Sequence, residues 1–151
     1  MTITFRLAEP TDLPTLIDLL ADDSLGQSRE DNSRPVADCY QQAFQHILTD
    51  DNNEILLLIT DNNIAGMAQL TYIPSLSRMG SWRCQIESVR IDSKWRGKGL
   101  GEQLFKQSFK RAANRHCQLV QLTSDKLRDK AIHFYESLGF VASHEGLKKT
   151  L

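Results

Sequence analysis

"WRGKGLGEQL", residues 95–104, sets three glycines and two cations immediately before an amphipathic helix. Leu100, Leu104, Phe105, Ser108 and Ala112 recur at helical spacing, and "SWRCQIESVRI" (residues 81–91) upstream reads as a strand. A strand that feeds a glycine-rich turn and then a helix N-terminus is a general device for anions. The first helical N–H groups are unpaired, the helix dipole favours negative charge, and glycines have no Cβ to hold a ligand away. Two familiar nucleotide loops are excluded. Gly97, Gly99 and Gly101 are spaced GxGxG, which is neither the P-loop GxxxxGK[ST] nor the GxGxxG of a dinucleotide fold.

Working outward, "TITFRLA" alternates as a strand, and Leu13, Leu16, Ile17, Leu19 and Leu20 form a helical stripe behind an expected N-cap at Thr11. Residues 22–35, "DDSLGQSREDNSRP", have no period and read as a loop, and helix spacing returns over residues 36–49. "EILLLIT", the turn "DNN" and "IAGMAQLTYIP" predict a hairpin buried on both faces, followed by the strand at residues 81–91. After the glycine-led helix come a strand at residues 118–124 and a second helix with the stripe Leu127, Ala131, Phe134, Tyr135 and Leu138, stopped by Gly139. "FVASH" and "LKKTL" are expected to close the sheet. The predicted order is βααβββαβαββ, an α/β domain with a mixed, mostly antiparallel central sheet flanked by helices, and residues 1–151 read as a single domain.

Eighteen basic against nineteen acidic residues leave a formal net charge of −1, so there is no electrostatic footprint for nucleic acid or an anionic membrane. Any anion must be held locally. Cys39, Cys84 and Cys117 show neither CxxC nor zinc spacing, which predicts no metal and a reduced, cytoplasmic protein. The N-terminus does not read as a signal peptide, and no apolar run approaches the ~20 residues of a spanning helix.

"IESVRIDSKWRGKGLGEQLF" together with "AIHFYESLGF" resembles the GCN5-related N-acetyltransferase (GNAT) family, whose signature is an [RQ]xxGx[GA] loop after a long strand and a later FYExxGF. The resemblance covers nearly the whole chain in element order. It implies the acyl-CoA N-acyltransferase fold and acetyl-CoA as cosubstrate, with the pyrophosphate in the loop that starts at Arg96. Backbone N–H groups of Gly97, Lys98, Gly99, Leu100 and Gly101 would cradle it, with Arg96 and Lys98 adding charge. Val89 and Ile91 would pair through their backbone with the pantetheine arm, on a strand that in this family commonly carries a bulge. Arg128 stands where the family often has Asn, so a coenzyme phosphate is its expected partner.

Acetyl transfer to an amine needs a base for the ammonium, a donor for the developing oxyanion and a proton for the thiolate. Glu87, two residues before Val89, is the candidate base, acting directly or through a water; pairing with an arginine or binding the substrate ammonium are the alternatives. By resemblance Tyr135 is the candidate acid, although its place on the buried stripe also suits a core residue. The N–H of Val89 would hold the oxyanion. A covalent route through Cys84 lacks an adjacent histidine, and His46, His116, His133 and His144 are scattered.

In this family the acceptor enters over the first two helices. Here Asp22, Asp23, Glu30 and Asp31 would draw a cationic amine, and Arg29 and Arg34 an acid group on the same molecule, unless the segment is simply solvated. The C-terminal "SHEGLKKTL" with "QLTSDKLRDKAIHFY" is loosely similar to aminoalkylphosphonate acetyltransferases. A small-molecule amine is the preferred acceptor; a peptide or protein amine, or a coenzyme sensor without catalysis, are the alternatives. A homodimer is common among relatives, though no sequence feature demands it.

Overall fold

The computed structural model describes residues 1–151. Strands β1 (Ile3–Leu7), β2 (Asn53–Thr60), β3 (Asn63–Pro74), β4 (Trp82–Ile91) and β5 (Cys117–Gln121) form one sheet in that spatial order. The first four are antiparallel neighbours, whereas β5 lies parallel to β4. Helices α1 (Leu13–Ala21) and α2 (Asp38–Thr49) precede β2, α3 (Leu100–Asn114) connects β4 to β5, and α4 (Ala131–Ser137) follows β5. No helix is long and apolar enough to cross a membrane.

The unbroken apolar run of β2 is explained by burial on both faces. Leu56 and Leu58 join Ala68, Leu70, Ile86, Leu104 and Phe105 in a core beneath α3, while Ile55 and Leu57 join Leu16, Leu19, Phe44 and Met67 beneath α1 and α2. Glu54, at the edge of the α3 core, accepts from Arg111 at 2.5 and 2.9 Å and from the Tyr72 hydroxyl at 2.5 Å. This half-buried carboxylate ties α3 to β2 and β3.

Four expectations are corrected. Thr11 is not the cap of α1: the backbone N–H of Glu9 donates to Asp12 at 2.7 Å, and a 3-10 turn at Pro10–Asp12 leads into the helix. The segment between α1 and α2 contains one helical turn, Gly26–Arg29. Helix α4 starts at Ala131 rather than near Leu127, because Asp125 accepts the Leu127 N–H and holds that stretch in a turn, leaving Leu127 exposed. The closing strands do not form. "FVASH" and "LKKTL" are short segments with no partner in the five-stranded sheet, and residues 141–151 are exposed. Gly139 does end α4, at φ 97°, with the Phe140 N–H donating to the Tyr135 carbonyl at 3.1 Å.

Burial alone would raise the Glu54 carboxyl, but the hydrogen bonds from Arg111 and Tyr72 outweigh it and hold it below the usual range. Its stabilisation is therefore present above the ordinary glutamate value of ~4.3 and is lost as pH falls through the folded value. Glu54→Gln should cost about 2 kcal/mol at pH 7, or about 4–8 °C in melting temperature. Melts of both proteins from pH 7 to pH 3 should show that gap closing; a constant gap would mean that packing, not the charge, is lost.

Candidate active site

The site begins with an irregularity in β4. Met67 faces Arg90 and Gln69 faces Glu87, so Ser88 and Val89 together oppose the single residue Ala68. Ser88 absorbs the extra residue in the left-handed region, at φ 54°. Simple alternation would put Val89 and Ile91 on the side of Glu87. The bulge reverses it: Val89 and Ile91 pack on the same core as Ile86, and Arg90 joins Glu87 on the other face. Gly66, opposite Ile91, permits the close approach, since a Cβ there would lie 2.7 Å from the Ile91 Cδ1 and 3.0 Å from the Arg90 carbonyl oxygen.

A second irregularity is a splay. The parallel pairing of β4 with β5 ends at Gln85 and Gln121, and residues 86–91 continue without a neighbour on that side. This opens a slot bordered by strand backbone, the place expected for a pantetheine arm.

At the end of the slot, Gly97 and Gly99 both take φ 75°, with open space where a Cβ would be, and α3 starts at Leu100. A cavity of about 250 Å³ over this loop is lined by Ile91, Trp95, Arg96, Gly97, Gly99, Leu100, Gly101, Glu102 and Phe134. The Leu100 side chain is buried in the core, which leaves its N–H as the group available to a ligand. Lys98 lies over the Trp95 ring, 4.8 Å from its centroid. The Arg96 guanidinium is already engaged, donating to the Ile91 carbonyl at 3.0 Å and the Asp22 carbonyl at 2.7 Å. It straps the glycine loop to the end of α1. Left-handed glycines, a fifteen-residue helix behind them and a strand-edge slot fit the pyrophosphate and pantetheine of acetyl-CoA.

Tyr135 packs its ring against Phe105 at a centroid distance of 5.8 Å. Burial pushes its phenol above the ordinary value, opposed in part by the positive charges of Arg128 and Arg90. Glu87 is exposed on β4 and takes part in no ion pair. Cys84 is fully buried and burial pushes its thiol up to about 12, so it is no nucleophile at neutral pH. No group of three or more His, Cys, Asp or Glu side chains is arranged to hold a metal ion.

One cluster was not foreseen. Asp23 accepts from Arg128 at 2.9 Å, lies 3.3 Å from the Arg90 Nε and also accepts the Gly26 N–H. Arg128 thus sits against the segment between α1 and α2. Only a strongly polar residue between Val89 and Ile91 hinted at this cluster, and without the bulge Arg90 would point into the core. Elsewhere in the segment Arg34 is bound to Asp18, Glu30 accepts from Tyr40 at 3.0 Å, and Asp31 accepts the Ser33 N–H. A larger cavity of about 510 Å³ between α1 and residues 92–94 is bordered by Asp18, Asp22, Glu30 and Asp92, but neither Glu87 nor Tyr135 lines it.

The slot and the glycine loop fit an acyltransferase of the acyl-CoA-dependent class, and comparison with known proteins agrees. The sequence profile of the Acetyltransferase (GNAT) family matches residues 16–140, and the chain belongs to that family. It is therefore an acetyltransferase that moves acetyl from acetyl-CoA to an amine. A glucosamine 6-phosphate N-acetyltransferase of Trypanosoma brucei brucei is 34% identical over 88 residues, a match that spans 58% of each chain. Among solved structures, a transcriptional regulator from Bacillus halodurans C-125 superposes with a TM-score of 0.96 at 46% identity, covering 99% of this chain and all of its own. An acetyltransferase of Trypanosoma brucei gives 0.80 at 25% identity, covering 99% and 100%.

Gly99 and Gly101 separate backbone strain from ligand approach. Gly99→Ala should destabilise the fold by about 1–2 kcal/mol through its positive φ. Gly101→Ala meets only Phe134 at 3.5 Å, an ordinary contact, and should leave stability unchanged or raised. If N–H groups there touch pyrophosphate, calorimetry should nonetheless show acetyl-CoA affinity falling at least about tenfold for Gly101→Ala. Undiminished affinity would place the phosphates elsewhere.

Proposed function

We propose that the chain acetylates the primary amine of a small molecule by direct attack of the amine on the thioester while both substrates are bound. The observation that carries this reading is the bulged, splayed half of β4, which has an unpaired carboxylate at Glu87 and the half-buried phenol of Tyr135 on α4 beyond the slot. Glu87 takes a proton from the incoming ammonium, directly or through a water, because an alkylamine near pKa ~10 is mostly charged at neutral pH. The N–H of Val89 points its dipole at the developing oxyanion.

Tyr135 protonates the departing sulfur. Its raised pKa keeps the phenol protonated until then, and Arg90 and Arg128 offset the cost of leaving a transient phenolate. Acetyl-CoA supplies the activated acyl group; Gly97, Lys98, Gly99, Leu100 and Gly101 hold its pyrophosphate through backbone N–H groups, with Ile91 beside the arm and Arg96 fixing the loop. A small acceptor is in keeping with the Trypanosoma relative named for glucosamine 6-phosphate. The Bacillus halodurans structure favours a second reading, a coenzyme-responsive regulator. Against a DNA-binding role stands the near balance of 18 cations and 19 anions. The unpaired cysteines suit a reducing cytoplasm.

The same proposal includes a homodimer. The outer edge of β5 has no neighbour, and Leu147 and Leu151 of the C-terminal tail stand 92% and 111% exposed. Reciprocal exchange of tails onto a second copy would cover both features at once. Light scattering should give twice the 17.2 kDa chain mass, and Leu147→Asp with Leu151→Asp should release monomer. A monomer at all concentrations would overturn this.

A thiol-release assay with acetyl-CoA and a panel of amines, amino acids, aminophosphonates, polyamines and peptides tests the reaction. Tyr135→Phe should lower kcat by ~10²-fold with an unchanged melting profile. Full turnover in that variant would remove Tyr135 from proton transfer, and turnover confined to peptides would overturn the small-molecule reading.

A further inference from the structure

The Asp23 cluster is unbalanced. Arg90 and Arg128 both pair with Asp23, so two guanidinium groups share one carboxylate. Asp23 is saturated by Arg128, Arg90 and the Gly26 N–H. The Arg90 side chain is 15% exposed, and its buried Nε lies 3.3 Å from the Asp23 carboxylate without being aligned for a hydrogen bond. Its Nη1 is used on the Val89 carbonyl at 2.9 Å. Two largely buried guanidinium groups on one carboxylate leave a positive charge uncompensated, which is costly unless a further anion completes the cluster.

The position of this excess charge matters. Arg90 follows the bulge on the face of Glu87, and Arg128 stands just before α4, the helix that carries Tyr135. The charge therefore lies where the acceptor meets the thioester, and it is held by the segment that covers the acceptor side. Resting on the acetyltransferase reading above, we propose that Arg90 and Arg128 seat an acid group carried by the acceptor, which makes the substrate an amine bearing a carboxylate, phosphonate or phosphate. Planar guanidinium groups bind such oxyanions through paired N–H donors, and the seat fixes the amine end toward Glu87. This assigns Arg128 to the acceptor rather than to a coenzyme phosphate.

The test compares β-alanine, 3-aminopropylphosphonate and propylamine at saturating acetyl-CoA. The acid-bearing amines should exceed propylamine in kcat/KM by at least about tenfold, and the preferred acid names the natural group. In Arg128→Gln that ratio should fall to about one, and Arg128→Lys should restore part of it. Equal use of all three amines, or a ratio unmoved in Arg128→Gln, overturns the proposal and leaves the cluster as a structural tie. Should no amine turn over, the acetyltransferase reading fails separately, and the seat is read by binding. With coenzyme A saturating the glycine loop, 10 mM inorganic phosphate at constant ionic strength should raise the melting temperature by about 3 °C in the natural protein and not in Arg128→Gln. No difference between the two proteins would overturn it by that route as well.

Discussion

One extra residue in β4 governs the arrangement of the site. Ser88 and Val89 share a single partner on β3, and the side chains beyond them change faces. Val89 and Ile91 thereby reach the core that also holds Ile86, Leu100 and Leu104, anchoring the strand that leads into the glycine loop. Arg90 is turned to the opposite face beside Glu87. A regular strand would bury the arginine and expose two aliphatic side chains, so the bulge is favoured by the hydrophobic effect as well as required for the slot.

The sheet has an apolar core on each face, but the two sides of the site are fastened differently. Beneath α3 the contacts are apolar and aromatic, with Phe105 packed edge-on against Phe134, Tyr135 and Phe140, which gives the glycine loop and Tyr135 a rigid base. The segment between α1 and α2 is instead fastened by polar ties: Asp22 to Arg96 and the Ser93 N–H, and Asp23 to Arg90 and Arg128. Exposed pairs such as Asp22 with Arg96 contribute little to stability. A rigid coenzyme side and a lightly fastened acceptor side suit an enzyme whose donor is fixed and whose acceptor must enter and leave.

Much of this was legible in the residues. Alternation in residues 3–7, the double-faced apolar run of β2, the helical stripe from Leu100 to Ala112 and the C-cap at Gly139 follow from local chemistry. The loop at residues 96–101 and the tyrosine at 135 carried the family resemblance. What escaped was long-range. The tail sequences carry enough strand character to suggest closing strands, yet pairing depends on an edge the residues do not specify. The early helix start at Leu127 failed because one Asp125 hydrogen bond outweighed periodicity. The Asp23 cluster joins residues 105 apart in sequence and depends on a bulge that no composition or period records.

That near-neutral chains can bind polyanions also follows from this geometry. A net charge of −1 supplies no long-range attraction for a coenzyme with several phosphate charges, and at physiological salt a general surface field would be screened within about 8 Å. Local donors face no such limit. The free N–H groups at the start of α3 and the helix dipole, worth roughly half a charge at that end, act at hydrogen-bond distance, where screening is slight. The acid seat proposed at Arg90 and Arg128 would work in the same way, because both guanidinium groups are largely withdrawn from solvent beside Asp23. Anion recognition in this protein is therefore a matter of where a few donors are buried, not of how many cations the chain carries.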